Sequence, residues 1–86
     1  MLTDSAFLIL GQLSFAVSAM NNVHGGSIGA RASYANRCVA QVEAMIADFD
    51  GVLTPADRRM IDAAIESIDT RIGRMFAEHT AMSAAA

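Results

Sequence analysis

An all-α fold, a three-helix antiparallel bundle occupying residues 1–86 as a single domain, is predicted by three features of the sequence. The chain is punctuated in only two places, at Asn21-Asn22-Val23-His24-Gly25-Gly26-Ser27 and at Asp50-Gly51-Val52-Leu53-Thr54-Pro55. The three segments so marked off are rich in Ala, Met, Leu and Ile and lack the alternating polarity of strands. Two of them repeat apolar residues at steps of three and four, the spacing at which helical side chains share a face. The expected architecture is a hairpin of the second and third helices with an apolar N-terminal helix laid against it. Expected lengths are about 19, 22 and 28 residues.

The first helix is expected to begin at Thr3 or Asp4, either of which can cap it, and to run to about Asn22. Its polar stripe is thin: Asp4, Gly11, Ser14, Ser18 and Asn21 fall on one side, and nearly everything else is apolar. A helix apolar almost all round is covered on more than one side. The run from Ala6 to Met20 is 15 residues, or about 22 Å at 1.5 Å per residue, short of the ~30 Å of a bilayer core. It also lacks the basic start of a secretory signal, since Met-Leu-Thr-Asp offers an acid there.

The second helix is expected to start between Ser27 and Arg31 and to end at Asp50, with Gly51 turning the chain out. Ile28, Ala32, Ala35, Cys38, Val42, Met45 and Phe49 form its packing seam, widened by Val39 and Ile46, with Arg37, Gln41 and Asp48 on the wet side. The third helix has the clearest start: Thr54 can cap, Pro55 suits the first helical position, and Asp57 sits where an acid meets free amides. Ile61, Ile65, Ile68, Ile72, Met75, His79 and Met82 form its seam, while Arg58, Asp62, Glu66, Thr70, Arg74 and Glu78 follow at intervals of four as a solvated row.

Charge and composition narrow the function. Six Arg, no Lys and nine acids give a net charge of −3, so the dense basic face that nucleic acid requires is absent and no nucleic-acid partner is expected. The lone Cys38 cannot close an internal disulfide, which makes the cytoplasm the expected location. Hydrophobic residues are 53% of the chain and charged ones 17%, against about 25% charged in an ordinary domain. A domain this small hides only ~60% of its unfolded surface, so part of that apolar surplus is expected to meet another molecule.

Three local patterns carry chemistry elsewhere. Ile46-Ala47-Asp48-Phe49-Asp50-Gly51-Val52-Leu53-Thr54 resembles the nucleophile motif of the haloacid dehalogenase-like phosphatases, with Asp48 and Asp50 in the two aspartate positions. The resemblance covers nine residues of 86 and implies a preceding parallel strand and a later lysine, which this chain does not have. The same stretch is similar to the back half of an EF-hand calcium loop, through Asp48, Asp50, Gly51, Leu53 and Asp57, but Ile46 stands at the first ligand place. The Ile61-Asp62, Ile68-Asp69 and Arg71 rhythm is loosely similar to chorismate mutases, whose inward Arg and Lys hold an anionic substrate. Turn and cap chemistry accounts for every residue of that stretch and is the expected reading: Asp48 and Asp50 end the second helix and Thr54 starts the third. Gly25, Gly26 and Gly29 could offer amides to an anion beside Arg31, and they also suit a plain interhelical connection. His24 and His79 have no helical metal partner three or four residues away, and Cys38 lies on an apolar seam.

No catalytic residue, cofactor or metal is therefore expected. The function predicted is a non-enzymatic protein-interaction module, such as an adaptor, secretion chaperone, immunity protein or phage-type inhibitor. It would dock through apolar helix faces on a larger protein or on itself as a homo-oligomer. The candidate interface residues are Phe7, Leu10, Leu13, Phe15, Val17 and Met20 of the first helix and Phe76, His79 and Met82 of the third. Two alternatives are a small membrane-associated subunit using the first helix and a small helical enzyme acting on an anionic metabolite.

Overall fold

The computed structural model describes residues 2–85, and these form three helices with no strand among them: α1 (Asp4–Asn21), α2 (Ile28–Asp48) and α3 (Pro55–Ala85). Every pair of helices is in contact. Local chemistry sets each start. Thr3 caps α1, its Oγ1 accepting from the Ala6 amide at 3.2 Å, and Ser27 caps α2 by accepting from Ala30 at 3.1 Å. At α3 the cap is reciprocal. Thr54 Oγ1 accepts from the Asp57 amide at 3.0 Å, and Asp57 Oδ2 accepts from the Thr54 amide at 3.0 Å, so two otherwise orphaned donors are satisfied together.

The connection after α1 depends on two glycines. Gly26 has φ of +123°, a conformation that side chains rarely adopt, and a Cβ on Gly25 would lie 2.8 Å from the Asn22 side-chain nitrogen. The second connection differs from expectation. α2 ends at Asp48 with Phe49 as its cap, two residues before Asp50, and Gly51 does not take a left-handed φ. The chain reverses instead because the amides of Val52 and Leu53 both donate to the Phe49 carbonyl, at 2.9 and 3.2 Å.

The core runs along the bundle between the helices. α1 contributes Ala6, Ile9, Leu13, Ala16 and Met20; α2 contributes Ala32, Ala35, Cys38, Val39, Val42 and Ile46; α3 contributes Ile61, Ile68, Ile72 and Met75. Ile28, Met45, Phe49 and Ile65 pack partly buried around it, so the expected seams of α2 and α3 face inward as far as Met75. Leu13 and Met20 are each only 2% exposed, and Leu10 is half-buried against the core. The first two are core residues, not surface anchors as expected from the sequence. The physical reason is that α1 is apolar on every side, so hydropathy does not mark its inner arc. The arc that turns inward carries the small Ala6 and Ala16 beside Ile9, Leu13 and Met20, and α2 contributes the equally small Ala32, Ala35 and Cys38 to the same core, so the helices can approach closely.

Contacts between ends show how the helices lie. The start of α1 meets the start of α3 through Thr3 and Asp57, and Arg58 at the start of α3 lies 3.9 Å from Asp50 beyond the end of α2. Gly29 in the first turn of α2 lies against His79 far along α3. The molecule measures 49 × 20 × 19 Å with a radius of gyration of 14.4 Å, where a compact chain of this length has about 12 Å. The long axis is that of α3 itself, whose 31 residues span about 46 Å.

Candidate functional site

Two surfaces stand out, the outer arc of α1 and a cleft where α2 begins beside α3. On α1 the residues displaced from the core by Ala6 and Ala16 are large: Phe7 and Leu8 are each 60% exposed and Phe15 is 56% exposed, with Val17 exposed beside them. Gly11 lies between Phe7 and Phe15, and a Cβ there would meet nothing within 4 Å. The result is a groove with a backbone floor, walled by Phe7, Leu8 and Phe15 and edged by Asp4, Gln12 and Ser14. Ser14 turns its hydroxyl back onto the Gly11 carbonyl at 2.5 Å, which satisfies its polarity inside the helix and leaves an apolar rim.

The groove has an internal symmetry about Gly11. Phe7 and Phe15 stand four residues on either side, Leu8 and Ser14 three, and Asp4 and Ser18 seven. All six are placed on the outer arc. Seven-residue spacing between Leu8 and Phe15 was the signal in the sequence that could have added Leu8 to the candidate anchors.

At the far end of α3, Phe76, His79 and Met82 are exposed, as expected for a seam that outruns its partners. His79 is not without a contact in its own chain. A Cβ on Gly29 would lie 3.0 Å from His79 Cδ2 and Nε2, tighter than an ordinary contact, so the imidazole rests close against the α2 backbone at this glycine.

The cleft is lined by Met20, Val23, Ile28, Arg31, Arg71, Arg74, Met75 and Glu78. Arg31 reaches across from α2, its Nη2 donating to the Met20 carbonyl at 2.8 Å, and Arg71 of α3 donates to Asn21 Oδ1. α1 has no basic residue in its last turn, so these two arginines supply the positive charge that its carbonyl end attracts. Arg31 Nε is buried without a hydrogen-bond partner. The sequence marked Arg31 through the neighbouring glycines, but only folding brings it beside Arg71, forty positions away.

The other chemical patterns resolve into structure. Asp48 lies in the last turn of α2 and Asp50 in the connection, so no strand and no open calcium loop precedes them. Among the described residues no group of three or more metal-ligating side chains comes together. In the glycine connection the His24 and Gly25 amides donate to Asn22 and the Ala30 amide to Ser27. Cys38 is free and buried. Asp57, buried at the base of the bundle, is held below its ordinary carboxylate value. The Thr54 amide bond is the largest cause; burial opposes it, and bonds from the Thr3 hydroxyl and amide add to the lowering. No described helix is long and apolar enough to cross a membrane. No protein family, characterised protein or solved structure matches the chain.

Proposed function

We propose that the chain is a non-enzymatic protein-interaction module that docks through the outer arc of α1, with a second copy of the same chain as its partner. The observation that supports this reading is the pair of phenylalanines and the leucine held open to water around Gly11. An apolar, nearly uncharged helix face of this kind associates by packing a second helix into the groove. The spacing about Gly11 favours self-pairing. A twofold axis through Gly11 sets Phe7 of one copy against Phe15 of the other and Asp4 against Ser18, and a symmetric dimer needs such a self-complementary patch. Asp4 is the only ionisable side chain lining the groove, so two copies of an acidic protein meet there without a row of like charges. Within each copy, helices adjacent in sequence are proposed to run antiparallel, in keeping with the paired ends. The free, buried cysteine favours a cytoplasmic setting.

Sedimentation analysis tests the proposal. The unaltered protein is expected to form a growing share of dimer as its concentration is raised toward the millimolar range, and Phe15→Asp to stay a monomer with undiminished helicity, because Phe15 lies outside the core. Leu13→Asp is not a suitable probe, since a charge there is buried and unpaired and unfolds the chain itself. A monomeric unaltered protein, or a Phe15→Asp variant that still dimerises, overturns the reading.

A further inference from the structure

We propose that the cleft between the beginning of α2 and the middle of α3 binds an anion, a phosphate or carboxylate head carried on an apolar body. Three of the six arginines of a chain with net charge −3 line this one cleft. The ion pairs among the described residues both belong to Arg58, so Arg31, Arg71 and Arg74 have no carboxylate within ion-pair distance there. Their structural duties leave most of their capacity unused. Arg31 and Arg71 each give a hydrogen bond to the end of α1, while a guanidinium carries five N–H groups, and Arg31 Nε is already shielded from water with nothing to donate to. Arg74, one turn beyond Arg71, takes no part in holding α1. An oxyanion head answers all three, because planar guanidinium groups bind carboxylate and phosphate oxygens in pairs. Glu78 at the edge offsets one positive charge, three less one leaving two, which matches a singly or doubly charged head and disfavours a polyanion. Val23, Ile28 and Met75 supply an apolar wall beside these charges, and that wall gives the body of the ligand somewhere to lie.

The test is a titration of the full chain followed through the arginine Nε–H signals, with phenyl phosphate, octanoate and inorganic phosphate as separate probes. Phenyl phosphate or octanoate is expected to shift the Arg31 Nε–H signal saturably below about 10 mM, and which of the two binds tighter identifies the head group. Arg74→Gln, an exposed position that should leave the helix content unchanged, is expected to weaken that binding about tenfold, the effect of losing one charged contact. Arg59→Gln removes the same charge outside the cleft and is expected to change nothing. Absence of saturable shifts with every probe overturns the site, and so does an equal loss in Arg59→Gln. Inorganic phosphate binding as tightly as both larger probes overturns the apolar half of the proposal.

Discussion

Asp57 does more than begin a helix. Its carboxylate accepts from the Thr54 amide at 3.0 Å and from the Thr3 hydroxyl at 2.8 Å, while that same hydroxyl accepts from Ala6 and so caps α1. One side chain thereby ties the starts of two helices that lie 54 residues apart. Both bonds to the carboxylate favour its ionised form, and the carboxyl is held below its ordinary value of 3.8. Because the folded value lies below the unfolded one, the stabilisation is fully present above about pH 4 and is lost as pH falls through the folded value. Thermal unfolding of the unaltered chain is therefore expected to move to lower temperature with acidification below about pH 4. Asp57→Asn is expected to be less stable at neutral pH, with the gap narrowing as the acid form of Asp57 takes over. A constant gap between the two proteins from neutral to strongly acid solution would mean that the charge of Asp57 contributes nothing.

Among the elements, α2 and α3 are legible in the sequence and α1 is not. α2 has one apolar face and one polar face, so Ala32, Ala35, Cys38 and Val42 could point only inward, and Arg37 and Gln41 only outward. In α3 the seam is buried as far as Met75; beyond it the first turn of α2 meets His79 only through Gly29, and Phe76, His79 and Met82 stay exposed. α1 offers apolar side chains in every direction, and the choice of inner arc falls to the size of its partners, which hydropathy does not record. The Thr3–Asp57 tie and the gathering of Arg31, Arg71 and Arg74 are tertiary and have no local signature. Two glycines separate propensity from packing. Gly73 of α3 and Gly11 of α1 both face open space, where glycine costs a helix about 1 kcal/mol relative to alanine. Gly73→Ala is expected to raise stability by about that amount, a rise of roughly 4–8 °C in a chain of this size, with no effect on association. Gly11→Ala is expected to stabilise the separated chain similarly while weakening the dimer, since its methyl group occupies the floor where a second helix crosses. Gly11→Ala that dimerises as strongly as the unaltered protein would remove Gly11 from the contact.

The molecule as a whole is a rod set by one long helix, with an apolar groove along α1 and an arginine-lined cleft where α1 ends and α2 begins. Its small core makes partner contact energetically significant. Full burial of a Phe or Leu contributes about 1.5–3 kcal/mol, so completing the burial of Phe7, Leu8 and Phe15, already partly covered, is worth roughly 1 kcal/mol or more apiece. With both copies contributing, the six side chains give roughly 6 kcal/mol or more against a joining cost of about 4 kcal/mol or more, which places the dimer in the millimolar range. Folding and association are then linked, because a partner that binds only the folded chain shifts its unfolding equilibrium by mass action. Raising the protein concentration about a hundredfold shifts the equilibrium by at most roughly 2.7 kcal/mol per dimer, or about half of that per chain, and by less where folded monomer remains. The unfolding temperature of the unaltered protein is accordingly expected to rise with concentration, by up to roughly 5 °C over such a series. Phe15→Asp, folded but unable to pair, is expected to unfold at one temperature throughout. An unaltered chain whose unfolding temperature is equally indifferent to concentration would leave the α1 groove without a second copy in it.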